Sequence, residues 1–428
     1  MTSVVLFTRD LRVADHPALA GACVDAEQVV PLFVLDPALL DRSLNRSRFL
    51  LECLHDLDAS LTRLGGRLII REGDVASEAL RTAVETGATD IHLSGDVSAF
   101  ARRRQERLAA ACASNGIALH LHLGAGVVAP GIVVPIGKPA YKVFTPYHRA
   151  WLAAADTLLA PTPRVIRLPE GINPGRLPAA ASIAAESPDL PRGGEKVGRR
   201  GLHRFLSSEL ASYGDARDQV DLEGTARLSP YLRFGCVSPR ELFARAYDLP
   251  GAEPFLRQLA WRDFFRQQAA AEDRATADTQ CPEDKLDLLD AWQRGVTGVP
   301  FVDAGMRQLR REGWMHNRAR LVTSSFLHRR LGVPWQEGAQ YFDRLLVDGD
   351  PAVNLGNWRW SAETTDPRRA LPLNPIRQAH RYDPEGNYVR RYVEELKDVD
   401  TRRIFEPWKA TGPLKRTGYP APIIDLEA

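Results

Sequence analysis

The sequence predicts an α/β N-terminal domain, a parallel Rossmann-like sheet flanked by helices, followed by an all-α C-terminal domain. Three observations carry this reading. Residues 1–125 alternate short apolar runs with amphipathic stretches, the pattern of strands joined by crossover helices. Beyond 196 the β-branched runs disappear and apolar residues recur at helical spacing. A chain of 428 residues also exceeds the size at which one core stops growing, so two domains are expected.

The strands are read at SVVLF 3–7, VVPLFVL 29–35, RLIIR 67–71, DIHLS 90–94 and ALHLHL 118–123, with helical patterns at 48–65 and 101–116 between them. Near-continuous apolar runs suit a sheet covered on both faces. Ligands of such sheets bind beyond the carboxyl ends of the strands, which points to TRDLR 8–12 and GDVSAF 95–100. Gly124-Ala125-Gly126 imitates a dinucleotide fingerprint, but Pro130 and Gly131 block the helix that would hold phosphates, so it reads as a loop. Residues 126–195 are rich in Pro, Gly and Ala and read as an interdomain linker, anchored by YKVFTPYHRAW at 141–151. The expected division is therefore 1–125, 126–195 and 196–428.

The net charge of +2 is too small to mark a nucleic-acid binder, so any such contact must come from a local basic face. Five cysteines stand singly at 23, 53, 112, 236 and 281, with no CxxC and no His pairing at metal-ligand spacing, so no metal site is expected. No apolar run approaches membrane length and no secretory signal is read, so the expected location is the cytoplasm. The chain is expected to be a monomer.

The densest chemistry lies at GWMHNRAR 313–320 and DGDPAVNLGNWRW 348–360, with Trp335 between them. Closely spaced Trp, Arg, Asp and Asn are costly to bury unless each polar group has a partner, so their density indicates a built site. A buried Arg or Asp here is prohibitively costly alone, and a guanidinium fork suits a carboxylate.

With EGTARLS 223–229, WRDFF 261–265 and AWQRGVTGVPFVDAGMRQL 291–309, these blocks resemble the DNA photolyase and cryptochrome family in family order. The resemblance runs from VVLFTRDLRVADHPAL at 4–19 to EPWKATG at 406–412. It implies an FAD-binding helical domain in which Tyr213, Thr225, Ala226, Arg227, Leu228 and Ser229 serve the phosphates and ribose. Phe255, Gln258, Arg262, Trp314, Asn317, Arg320, Asp348, Gly349, Asp350 and Asn354 would line the flavin, with Arg320 and Asp348 as the buried ion pair and Asn354 beside N5. An uncharged amide there bonds either protonation state of the ring. Trp335 and Trp358 match two members of the family's electron-supplying tryptophan chain, whereas Pro282 stands where the outer Trp normally lies.

The implied activity is light-driven repair of cyclobutane pyrimidine dimers in UV-damaged DNA by an electron from photoexcited reduced FAD. Trp261 and Trp360 match the aromatic walls of the lesion cavity, and Gln258, Asn317, Arg318 and Leu321 its polar and apolar contacts. Phosphate contact is expected from Arg307, Arg310, Arg311, Arg318, Arg329 and Arg330, with Arg368 and Arg369 at a further contact. Gln258 replaces a Glu typical of the dimer enzymes and Leu321 a frequent Met. Relatives that repair (6-4) photoproducts also carry Gln at the first of these positions, but His in place of Asn317 and Leu321. A photoreceptor that binds FAD without repair is the main alternative. For a second, antenna chromophore the stretch SAFARRR 98–104 favours 8-hydroxy-deazaflavin over methenyltetrahydrofolate, with Arg9, Asp36, Asp96 and Phe100 as candidate contacts.

Overall fold

The computed structural model describes residues 1–222, 224–271, 279–362, 372–409 and 418–426. They form two compact units: Met1–Ala185 with Arg192–Ala211 and Ala226–Arg274, and Glu186–Pro191 with Ser212–Thr225 and Ala275–Ala428.

The first unit is built on five parallel strands, β1 Thr2–Phe7, β2 Gln28–Leu35, β3 Ile69–Glu72, β4 Asp90–Ser94 and β5 Ala118–His122, in the order β3-β2-β1-β4-β5. All five expected strands are present. Central β1 is buried at every position, and this explains why it reads as an unbroken apolar run and not an alternation. Val4, Leu6, Val30, Leu32, Ile69, Ile91 and Leu93 pack with Ala76, Ala79, Ala83 and Leu108 from two of the crossover helices. The helices start where short polar side chains can satisfy free amides. Asp74 Oδ1 accepts from Ser77 N at 3.0 Å, and Ser98 Oγ from Ala101 N at 3.2 Å. The turn Gly124–Gly126 is followed by no helix, as its Pro and Gly require.

The Pro- and Gly-rich stretch behaves differently from a free linker. The carbonyls of Arg167 and Pro174 accept from Val29 N and Ile70 N at 2.8 Å each, and Ile166 N donates to Leu64 O at 2.7 Å. Proline lacks a donor but its carbonyl still accepts, so such a segment can line a sheet without being a strand. The packing units therefore divide the chain differently from composition. Residues 126–185 and the helix Glu253–Ala271 belong with the sheet.

The second unit contains no strand among the described residues, as expected. Its helices Leu286–Arg294, Pro300–Glu312, Asn317–Ser325, Trp335–Leu345, Pro351–Ala362, Pro375–Tyr382 and Asn387–Tyr392 close on Trp292, Phe301, Met306, Leu309, Val322, Phe326, Phe342, Trp358 and Tyr388. Among the described residues, no helix is long and apolar enough to cross a membrane.

Candidate flavin and lesion site

In the second unit the GWMHNR segment is a tight connection between two helices. Gly313 ends the 300–312 helix in the left-handed conformation, φ 60°, which costs an L side chain energy and glycine little. His316 then caps the next helix, its Nδ1 accepting from Arg318 N at 3.1 Å, while its own N–H donates to Gln308 Oε1 at 3.2 Å. Tyr388 O–H donates to that same Gln308 oxygen at 2.8 Å. These contacts fix where the first turn of the 317–325 helix projects its side chains.

Arg320 ties this turn to the loop that precedes the 351–362 helix. Its Nε donates to Met315 O at 2.9 Å and its Nη2 to Asp348 Oδ2 at 2.8 Å. The expected ion pair is thus present, with the Asp348 side chain only 5% exposed. Asp348 Oδ1 is buried without a hydrogen-bond partner among the described residues. A buried carboxylate oxygen left without a donor is expensive, so the site calls for an N–H from a ligand. Two residues on, Asp350 accepts from Ala352 N at 3.0 Å and so starts the helix that carries Asn354, Trp358 and Trp360. Asn354 Nδ2 donates to Ala339 O at 3.0 Å.

The remaining predicted residues of this unit differ in burial and in partners. Trp314 and Tyr213 are buried, and burial pushes the Tyr213 hydroxyl pKa up. Arg318 bonds Asp218 at 2.8 Å through Nε and lies 5.6 Å over the Tyr382 ring. Trp358 is buried against Phe342, ring centroids 5.2 Å apart, and half-buried Trp335 packs on the same cluster. Leu321, Thr225 and Trp360 are half-buried, whereas Gly349 is buried.

The first unit supplies the other predicted residues. Arg227 has φ 45°, a backbone conformation uncommon outside glycine, between buried Ala226 and Leu228. The helix Ser229–Phe234 follows. On the helix Glu253–Ala271, Phe255, Gln258 and Arg262 fall at helical spacing. Phe255 packs on Phe205 at 4.6 Å. The Arg262 guanidinium donates to the carbonyls of Leu232, at 3.2 Å, and Ala125. One face of Trp261 is covered by Phe144, stacked at 3.7 Å and 2°.

Of the antenna candidates, Arg9 and Asp96 meet at 2.9 Å, and Asp96 also pairs with Arg266 at 3.0 Å. Asp36 caps a short helix after β2, and Phe100 lies 6.0 Å under Arg42. The expected phosphate-binding arginines are not an array of free cations. Arg307 is bidentate to Glu395 at 2.6 and 3.0 Å, Arg311 pairs with Asp189 at 2.5 Å, and Arg318 with Asp218. Each carboxylate partner is remote in sequence, which hid it from a reading of local clusters. Arg310, Arg329 and Arg330 donate to backbone carbonyls. Arg368 and Arg369 lie outside the described residues.

Sequence reasoning missed two features. Asp263, inside WRDFF, is buried and accepts from Val127 N at 2.8 Å, Val128 N at 3.1 Å and Trp151 Nε1 at 3.0 Å. A buried-face Asp beside Arg262 was the available signal. The second is a histidine cluster: His92 on β4 and His120 on β5 come together with Asp90, and His122 meets His92 at 3.0 Å. Burial first, then the His120 and His122 charges, push His92 down to about 4.

The unpartnered Asp348 oxygen and its Arg320 clamp fit a flavin, whose ring edge offers an N–H donor. The chain matches two family models. Residues 3–167 match "DNA photolyase" and residues 255–428 match "FAD binding domain of DNA photolyase". It is 46% identical to a deoxyribodipyrimidine photo-lyase of Streptomyces griseus, across 99% of this chain and 96% of that protein. It is 32% identical to a cryptochrome DASH of Natronomonas pharaonis, across 100% and 98%. The fold superposes on a class III photolyase of Agrobacterium tumefaciens with TM-score 0.89 at 28% identity, covering 99% of this chain and 94% of that one. The chain therefore belongs to the DNA photolyase family, carries that family's FAD-binding domain, and is an enzyme of it.

Proposed function

We propose that this chain repairs cyclobutane pyrimidine dimers in UV-damaged DNA under blue light. The observation that carries the reading is the Arg320–Asp348 pair with its unpartnered oxygen, three residues along the helix from Asn317. When bound in its reduced form, FAD would supply the electron that light releases to the dimer. The chain's own groups hold and orient. Asp348 accepts a cofactor N–H, and Arg320 holds that carboxylate in place. Asn354, tethered to Ala339 O, offers a neutral amide to the ring. Tyr213, Thr225, Arg227 and Ser229 serve the phosphates and ribose. Trp261 and Trp360 stack on an extruded dinucleotide, which costs less to flip because damage weakens its stacking. Asn317, Arg318 and Gln258 bond the lesion.

Asn317 and Leu321 favour cyclobutane dimers over (6-4) photoproducts. A photoreceptor without repair is the second reading, favoured by Gln258, by Pro282 at the outer end of the tryptophan chain, and by the similarity to a cryptochrome DASH. For an antenna, 8-hydroxy-deazaflavin is the proposed chromophore, with Arg9, Asp36, Asp96 and Phe100 about it. The deciding experiment illuminates the photoreduced protein with a defined thymine dimer in a short DNA strand, beside a dark control. Light-dependent recovery of intact thymines is expected. Its failure with FAD fully reduced, on the dimer and then on a (6-4) lesion, would leave the photoreceptor.

A further inference from the structure

We propose that Asp90, His92 and His120 form a binding site for one divalent transition-metal ion, of which Zn2+ is the expected occupant, clipping edge strand β5 to β4. The placement follows from strand register. Parallel pairing sets His92 opposite His120 and Ser94 opposite His122, and residues two apart on a strand share a face. Asp90, His92, His120 and His122 therefore project from one side of the sheet.

That side is covered by the helix Pro17–Asp25, where a Cβ on Gly21 would meet His122 Cε1 at 2.9 Å and His92 Nδ1 at 3.4 Å. The ligating atoms of Asp90, His92 and His120 lie within 4.8 Å of one another. Ligands of a tetrahedral ion with bonds of about 2.0 Å stand about 3.3 Å apart. His120 stacks on His92 with ring centroids 4.5 Å and planes 21° apart, so the half-exposed His120 ring must rotate out of that stack for its in-plane lone pair to meet the same ion.

The competing reading is a plain hydrogen-bonded network. His120 Nε2 does meet Asp90 Oδ1 at 2.7 Å, and His92 Nδ1 meets His122 Nε2 at 3.0 Å. But His92 is 1% exposed and its Nε2 has no hydrogen-bond partner among the described residues, so the network leaves a buried nitrogen unsatisfied. Whichever ring nitrogen turns to the ion, the other keeps a neighbour: His122 at Nδ1, or Asp25 Oδ2 at 3.9 Å from Nε2, the outer-shell carboxylate that ligating histidines commonly use. Imidazole with one carboxylate and no thiolate suits Zn2+, Ni2+ or Cu2+, not Mg2+ or Ca2+.

The test uses the full-length flavin-containing protein without a histidine tag, stripped with chelator and titrated with Zn2+ alone. Calorimetry and metal content after desalting give the stoichiometry. One Zn2+ per chain and a raised melting temperature are expected, with affinity at least about tenfold weaker in His120→Gln and bound flavin unchanged. Because His120 is partly exposed, that variant should fold; Asp90→Asn is the second variant, read in the same way. No binding by the wild type, or binding that both variants leave unaltered, would overturn the site.

Discussion

The buried Asp348 carboxylate has one oxygen bonded to Arg320 and the other without a partner among the described residues. Asp348→Ala should therefore lower FAD affinity at least about tenfold, or ~1.4 kcal/mol, read as the flavin-to-protein ratio after purification. Asp348→Asn should lose less, because its amide oxygen can still accept. A second buried carboxylate sets a pH dependence. Burial pushes Asp383 up to about 7, aided by the Asp221 charge and opposed by the amides of Tyr388 and Val389. An unfolded Asp titrates near 3.9. Between about pH 4 and pH 7 the folded chain thus holds a proton that the unfolded chain has released. Its stabilising effect is complete below that window and is lost as pH rises through it. Asp383→Asn should gain stability relative to wild type as pH is raised from about 4 to 7, measured as the difference in melting temperature. At this scale Arg320 and Asp348 were legible through the family resemblance, which set both in the flavin lining, where a guanidinium fork suits a carboxylate. It concealed Asp383, whose partners are backbone amides that any residue carries, and Asp263, which adds to two such amides an indole N–H 112 residues away.

Elements were legible where burial is two-sided. Runs such as VVPLFVL admit few readings other than a covered strand, and all five strands stand within two residues of their expected ends. The Pro-rich stretch was opaque because its bonds to Val29 and Ile70 use carbonyls, which composition does not record. Contacts between helices carry two further expectations. A Cβ on Gly338 would strike the Trp358 ring and meet Leu327 Cδ2 at 2.5 Å, so the 335–345 helix approaches the 351–362 helix only because no side chain intervenes. Gly338→Ala should cost about 1–3 kcal/mol from overpacking. It should also slow photoreduction of bound flavin at equal occupancy, because Trp358 is displaced. Trp261 lies flat on Phe144 of the 144–154 helix, which keeps the indole plane fixed. Trp261→Ala should weaken binding to dimer-containing DNA by roughly 1–3 kcal/mol while FAD remains bound; unchanged affinity would remove Trp261 from the lesion cavity.

For the whole molecule, the alternation of strand and helix foretold the sheet and the helical periodicity foretold the second unit. The path of the chain was not foretold, because it is set by contacts between distant segments. The sheet's unit draws on residues up to Arg274. A fragment of residues 1–195 should therefore fail to melt cooperatively, since Val127 N, Val128 N and Trp151 Nε1 lose their acceptor. A fragment of residues 1–274 should retain the sheet, as circular dichroism during heating would report. The same carboxylate has a consequence during synthesis. Val128 and Asp263 are 135 residues apart, roughly 7 to 27 s of elongation at about 5–20 residues per second. For that interval the nascent sheet emerges from the ribosome with its last loop unfastened, so translation speed through 129–263 decides how long chaperones and proteases can reach it.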